Sequence, residues 1–275
     1  MATGLRYPGK VVIVTGGTRG IGEAIVTEFV HQGAKVVFCA PECEEEQGKA
    51  IVQELEYCGA PGEAYFQICD VRCERAIQNL VAVTIELYGC LDCLVNNVGV
   101  HPPFQRIDYS TTEDFHNFMA INTVSSFLAS KYALPYLRKT KGNIINMSSI
   151  VGTFGDVESV ILAATKGAVT AMTKALAIDE SKYCVRVNSI SPSNIWTPAW
   201  PKFANEQPDP EAVIQKYKDA QLMGRMGTPV EIAKAALFLA ADATFCTGFD
   251  LVTSGGAELG FAHKSQVTPG CGSKN

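Results

Sequence analysis

Short apolar runs alternate with amphipathic stretches along almost the whole chain, and no other feature restricts the fold as strongly. The runs predict strands over 10–15, 35–39, 64–69, 91–96, 142–147, 185–191 and 249–253. Helical spacing between them predicts helices over 20–31, 45–57, 74–88, 112–138, 160–181 and 229–240. Strand then helix, repeated, calls for right-handed crossovers and a parallel sheet. Near-continuous apolar strands such as Val11–Val14 and Leu91–Val95 suit burial on both faces. The expectation is a doubly wound α/β fold with seven parallel strands and helices on both faces.

No linker, repeat or low-complexity block divides the 275 residues, so 1–262 read as one domain and 263–275 as a flexible tail. A hydrophobic share of 47% against 19% charged residues excludes general disorder. The net charge of -5 provides no basic face for nucleic acid; the densest cationic cluster, Arg138, Lys139 and Lys141, falls at a helix end, where cations are favoured anyway. No apolar run reaches the ~18 residues of a spanning helix, and the N-terminus carries no apolar core of signal-peptide length. A cytoplasmic protein without membrane or nucleic-acid partners is expected.

Ten cysteines fit reduced thiols in such a setting. Cys69, Cys73, Cys90 and Cys93 approach a zinc spacing, but the first pair is one residue off and a helix is predicted between the pairs, so no metal is expected. Cys271 is the expected exposed thiol.

The densest motif follows the first strand and opens a helix: Thr15, Gly16, Gly17, Thr18, Arg19, Gly20, Ile21, Gly22. Gly16 permits a tight turn, Gly20 lets backbone approach a pyrophosphate, and Gly22 allows close packing. Free N–H groups at the helix N-terminus then hold the anion. Gly16, Thr18, Arg19, Gly20, Ile21 and Gly22 are candidate dinucleotide-binding residues.

The T-G-x-x-x-G-x-G spacing resembles the short-chain dehydrogenase/reductase superfamily, and the likeness covers essentially the whole chain. It implies a Rossmann fold, an NAD cofactor with NADP as the alternative, and a homotetramer built on long paired helices near 112–138 and 160–181. It places Asp70 and Val71 at the adenine, Asn97 and Gly99 in the stretch where members read NNAG, and Ile195 and Thr197 at the nicotinamide carboxamide. The reaction it implies is NAD(P)-dependent oxidation of a secondary hydroxyl on a steroid or sugar.

Members of this superfamily place a Tyr-x-x-x-Lys pair on one helix face, where the lysine lowers the tyrosine pKa and the phenolate takes the substrate proton. Here Lys166, Ser149 and Asn122 match the catalytic lysine, serine and asparagine, but the tyrosine position, four before Lys166 and thirteen after Ser149, is Leu162. Turnover is therefore expected to be weak or absent; the alternative is an inactive member serving as a nucleotide-binding or assembly module. Three further departures share the site. Ala40 stands where NAD-preferring members carry an aspartate, with Arg19 suited to a 2′-phosphate and Glu42 arguing against one. Ser193 replaces a glycine, and Val98 an alanine. Pro192–Pro210, with five prolines, reads as irregular and forms part of a substrate lid over 192–222, in which Trp196 and Trp200 line a bulky pocket or pack the loop itself.

Overall fold

In a computed structural model, residues 4–259 are described; the expected flexible tail over 263–275 and Cys271 lie outside them. Strands β1 (Val11–Thr15), β2 (Lys35–Ala40), β3 (Glu63–Ile68), β4 (Cys93–Asn96), β5 (Asn143–Met147), β6 (Arg186–Pro192) and β7 (Asp250–Thr253) form a single parallel sheet in the order β3-β2-β1-β4-β5-β6-β7. All seven expected strands are present, with bounds shifted by one or two residues.

Alternation along each strand sorts side chains to two cores. Val12, Val14, Val36 and Phe38 pack against α1 (Gly20–His31), α2 (Glu45–Tyr57) and a helix near the C-terminus. Val11, Ile13, Val37 and Leu94 face α3 (Glu74–Tyr88) and two later helices. The sheet is thus covered on both faces, which is why β1 is buried at every position.

The expected helix over 112–138 is interrupted. The structure has α4 (Thr112–Met119), a π-turn over Ala120–Val124 and α5 (Ser125–Thr140). The extra backbone residue accommodates Asn122, whose side chain is bonded outside the helix. After β5 come the short α6 (Val151–Phe154) and the long α7 (Val160–Glu180). The segment Val160–Tyr183 is long and apolar enough to cross a membrane by length and composition. Here it packs against β5 and β6, and its buried Thr165, Lys166, Thr170 and Thr173 make hydrogen bonds inside the protein, as a core helix does.

The proline-rich stretch after β6 is also ordered, contrary to the irregular loop expected. It forms α8 (Ala199–Asn205) and α9 (Pro210–Asp219), followed by α10 (Pro229–Ala241). Pro210 sits where a helix has no N–H to lose: it opens α9 behind Asp209, whose side chain accepts from Ala212 N–H at 3.0 Å. Thr228 and Glu231 cap α10 reciprocally, and Arg225 beside Glu231 draws that carboxyl down to about 2.

Candidate active site

Chain order reverses between β1 and β4, and at such a switch point the carboxyl ends of the strands open into a ligand crevice. The glycine loop lies there. Gly16 has φ +68°, open to glycine without strain. A Cβ on Gly22 would meet Gly16 O at 1.9 Å and Asn97 Nδ2 at 2.6 Å, so only glycine lets α1 start this close to the loop. Asn97 Nδ2 donates to Thr15 O and Gly16 O, both at 3.0 Å, while the N–H groups of Asn97 and Val98 donate to Thr15 Oγ1. Asn97 is therefore the clamp that sets the loop's shape.

Thr197 faces the loop from across the crevice, within 3.3 Å of where a Gly20 Cβ would stand. Ile195 is buried and pairs with Gly227 through a bridge, Gly227 N–H donating to Asn194 O at 3.0 Å. Ser193 Oγ lies 2.9 Å from both Gln221 Oε1 and Ser254 O, which ties the end of β6 to the chain after α9. At the adenine side Val71 is buried in the core, and the Asp70 carboxylate is gripped by Arg72, whose hydrogen bonds hold it below the usual carboxylate range. Ile21 packs part-buried against the first core. Thr18 and Arg19 both reach Glu44, in a short 3-10 turn after β2. Glu44 was missed by sequence reasoning, which weighed Glu42; the dense acidic run after the strand was the available signal.

Asn122, Ser149, Leu162 and Lys166 lie one strand further on. Asn122 Oδ1 accepts from Val100 N–H at 2.8 Å, and its Nδ2 donates to Val100 O at 3.0 Å and Thr165 Oγ1 at 3.1 Å. Lys166 is buried, with Nζ donating to Met147 O at 2.8 Å, and burial alone lowers its pKa to about 8. Gly99 must be small for this lysine: a Cβ there would sit 2.9 Å from Nζ. Ser149, half-buried at the exit of β5, accepts from Val151 N–H at 3.3 Å. Its neighbour Ser148 turns inward to Lys166 O and Thr170.

Leu162 lies one turn before Lys166 and is buried, 5% exposed. It lines a void of about 10 Å³ beneath His101, Pro102 and Pro103. An aliphatic side chain thus occupies the helix position four residues before Lys166. A cluster of rings joins the loop after β4 to α8 and α9: Phe104 meets Phe203, and Trp200 packs on Phe203 and on Tyr217, the latter at 4.7 Å. Of the two expected pocket residues, Trp200 belongs to this cluster while Trp196 is 41% exposed.

The four cysteines with zinc-like spacing are not drawn together. Cys93 donates to Asn143 Oδ1 within β4–β5, and among the described residues no three potential metal ligands converge.

The geometry can be set beside known proteins. Residues 16–258 match the family model described as enoyl-(acyl carrier protein) reductase. The chain is 52% identical to the L-fucose dehydrogenase of Bos taurus, over 98% of this chain and 97% of that one. It is 38% identical to the 2,5-dichloro-2,5-cyclohexadiene-1,4-diol dehydrogenase of Sphingobium indicum, over 93% and 98%. Among solved structures it superposes on L-sorbose reductase from Gluconobacter frateurii, complexed with NADPH and L-sorbose, with a TM-score of 0.86, 27% identity and coverage of 94% and 98%.

Proposed function

The chain belongs to the short-chain dehydrogenase/reductase family, and from that premise we propose that it binds a nicotinamide coenzyme and acts on a hydroxyl of a sugar-like small molecule, with turnover held low by Leu162. The fold implies NAD(P) binding, and the loop fits it: the Gly22 position leaves no room for a Cβ, and the α1 N-terminus opens on the crevice. Bound there, the coenzyme supplies the hydride acceptor or donor.

The chain's own residues do the rest. Ser149 is free enough at the exit of β5 to hold the substrate oxygen. Asn122 anchors Val100 and Thr165, and so fixes the wall on which Lys166 stands. The proton step is where the site falls short. Leucine has neither a proton nor a lone pair, and a positioned acid–base is worth about 10²–10⁴-fold. Leu162, buried at 5% exposure beside Lys166, is the single observation that carries the reading of weak turnover.

The relatives named for L-fucose and L-sorbose favour a sugar. The stretches Leu134–Lys139 and Ala164–Ala177 resemble 17β-hydroxysteroid dehydrogenase type 14, which makes a steroid alcohol the second substrate to try. The same reading includes a homotetramer: Val124 and Phe127 on the α5 side and Ile178 on α7 are exposed apolar residues on helices long enough to pair.

The test has two parts. NADH or NADPH at millimolar concentration should raise the melting temperature, because a ligand stabilises by RT ln(1 + [L]/Kd). Leu162→Tyr should then raise L-fucose or estradiol oxidation by at least about tenfold. No thermal shift with either coenzyme would leave only an assembly role. Equal rates for parent and variant, both well above background, would show that another group carries the proton.

A further inference from the structure

We propose that Glu44 selects the coenzyme and makes the crevice prefer NAD(H) to NADP(H); the inference rests on the reading that the crevice takes a nicotinamide coenzyme. In doubly wound folds a carboxylate at the end of β2 accepts from the ribose hydroxyls, and an arginine nearby accommodates a 2′-phosphate. Here β2 ends in buried Ala40, which taken alone removes the first and, with Arg19, favours the second.

The structure restores the carboxylate from a different position. After β2 the chain turns tightly through Glu42–Glu44, and the Glu44 side chain folds back to the glycine loop. It accepts from Thr18 Oγ1 and pairs with Arg19 Nη2 at 3.2 Å. The Glu44 side chain is only 20% exposed, against 68% for Arg19, so the acid is the enclosed partner and the arginine the solvent-facing one. Beside this pair opens a cleft of about 350 Å³ lined by Thr18, Arg19, Glu23, Cys43, Glu44 and Gln47. It adjoins the N-terminus of α1 on the β2 side, where the adenosine ribose falls if the pyrophosphate sits on that N-terminus.

Charge decides between the coenzymes. A ribose hydroxyl can donate to Glu44 while Arg19 stays paired. A 2′-phosphate brings about two negative charges to the same rim. Arg19 can turn to it only by leaving Glu44 uncompensated, and Glu23 adds a second carboxyl to the lining. Lys49, the first cation after Glu44, is engaged by Glu45 at 2.9 Å and Glu46 at 3.7 Å, and Lys35 by Glu63 at 3.0 Å.

Isothermal titration of the full chain with NADH and with NADPH tests this. The parent should bind NADH at least about tenfold more tightly, the span of one hydrogen bond to a charged group. Glu44→Gln should shrink that preference by about fivefold or more, with NADPH binding tightened and NADH weakened. Glu44→Asp, which keeps the charge on a shorter arm, should retain part of the preference, and its melting temperature shows whether the turn survives substitution. Equal or tighter binding of NADPH by the parent, or a ratio unchanged in Glu44→Gln, overturns the role of Glu44 while leaving coenzyme binding in place. Binding of neither coenzyme overturns both.

Discussion

Lys166 is a cation enclosed by the fold with a single carbonyl, Met147 O, for a partner. Its displacement from the ordinary 10.5 to about 8 corresponds to about 3 kcal/mol. The sign follows from proton counts. Below pH 8 both folded and unfolded chains carry the proton, and the cost of burying the charge is present in full. Between about 8 and 10.5 the folded chain has released it while the unfolded chain has not, so this group's contribution to stability rises with pH. Lys166→Met removes the charge at similar length. It should be more stable than the parent at pH 7, by an advantage that shrinks by about 2 kcal/mol at pH 9.5. Urea unfolding of both proteins at the two pH values measures this; an advantage that does not vary with pH would mean that the Lys166 amine is well solvated and titrates as it does in the unfolded chain. Leu162 sharpens the point, since one turn before Lys166 it is an aliphatic side chain where the family pattern has a phenol that would share the proton chemistry.

At the scale of elements, the break between α4 and α5 belongs to the site. A continuous helix would satisfy its own backbone, but it would not present Asn122 to Val100 and Thr165 at the same time. The π-turn over Ala120–Val124 resolves that conflict, and Thr123 Oγ1 adds a bond to Thr165 O at 3.0 Å. Asn122→Leu keeps the volume and strands the Val100 N–H and C=O, while the Thr165 hydroxyl keeps its bond to Leu162 O at 2.9 Å. A loss of about 1–3 kcal/mol follows from unsatisfied polar groups of this kind, read as a lower urea midpoint. An unchanged midpoint would show that water replaces the amide. A second tie between elements is the Arg138–Glu180 pair, bidentate at 2.7 Å with Glu180 5% exposed, which locks the end of α5 to the end of α7. The pair ties the C-terminal ends of the two helices together.

For the whole molecule, the sheet and its two cores are complete, yet apolar side chains remain on the outer side of α5 and α7, Phe127 at 52% and Ile178 at 74% exposed. With the proposed tetramer, size-exclusion chromatography with light scattering should give a mass of about four chains, and Phe127→Asp should give smaller species, because a carboxylate taken into an apolar interface has no partner. A monomeric parent, or an unaffected variant, would place the contact elsewhere. The segment after β6 belongs to this scale too. Its helices are held by rings from distant parts of the chain, Phe104 from the loop after β4 and Trp200, Phe203 and Tyr217 from α8 and α9.

What the chain determined by itself is whatever depends on local periodicity and steric necessity. Strand alternation set the two faces of the sheet, and α1, α2 and α3 begin and end where helical spacing placed them, because each signal lies within a dozen or so neighbouring residues. The glycine loop was legible because its chemistry needs missing side chains, and Leu162 because the motif spacings converge on one number. Other features required the folded chain. The helices after β6 were hidden because proline was read as a breaker although Pro210 opens a helix. The π-turn was hidden because its cause, Val100, lies 22 residues away from Asn122. Glu44 was hidden because its value comes from folding back onto Thr18 and Arg19, 26 residues upstream of it in the first case. Such through-space pairings have no local periodicity, and only the packed sheet brings their partners within reach.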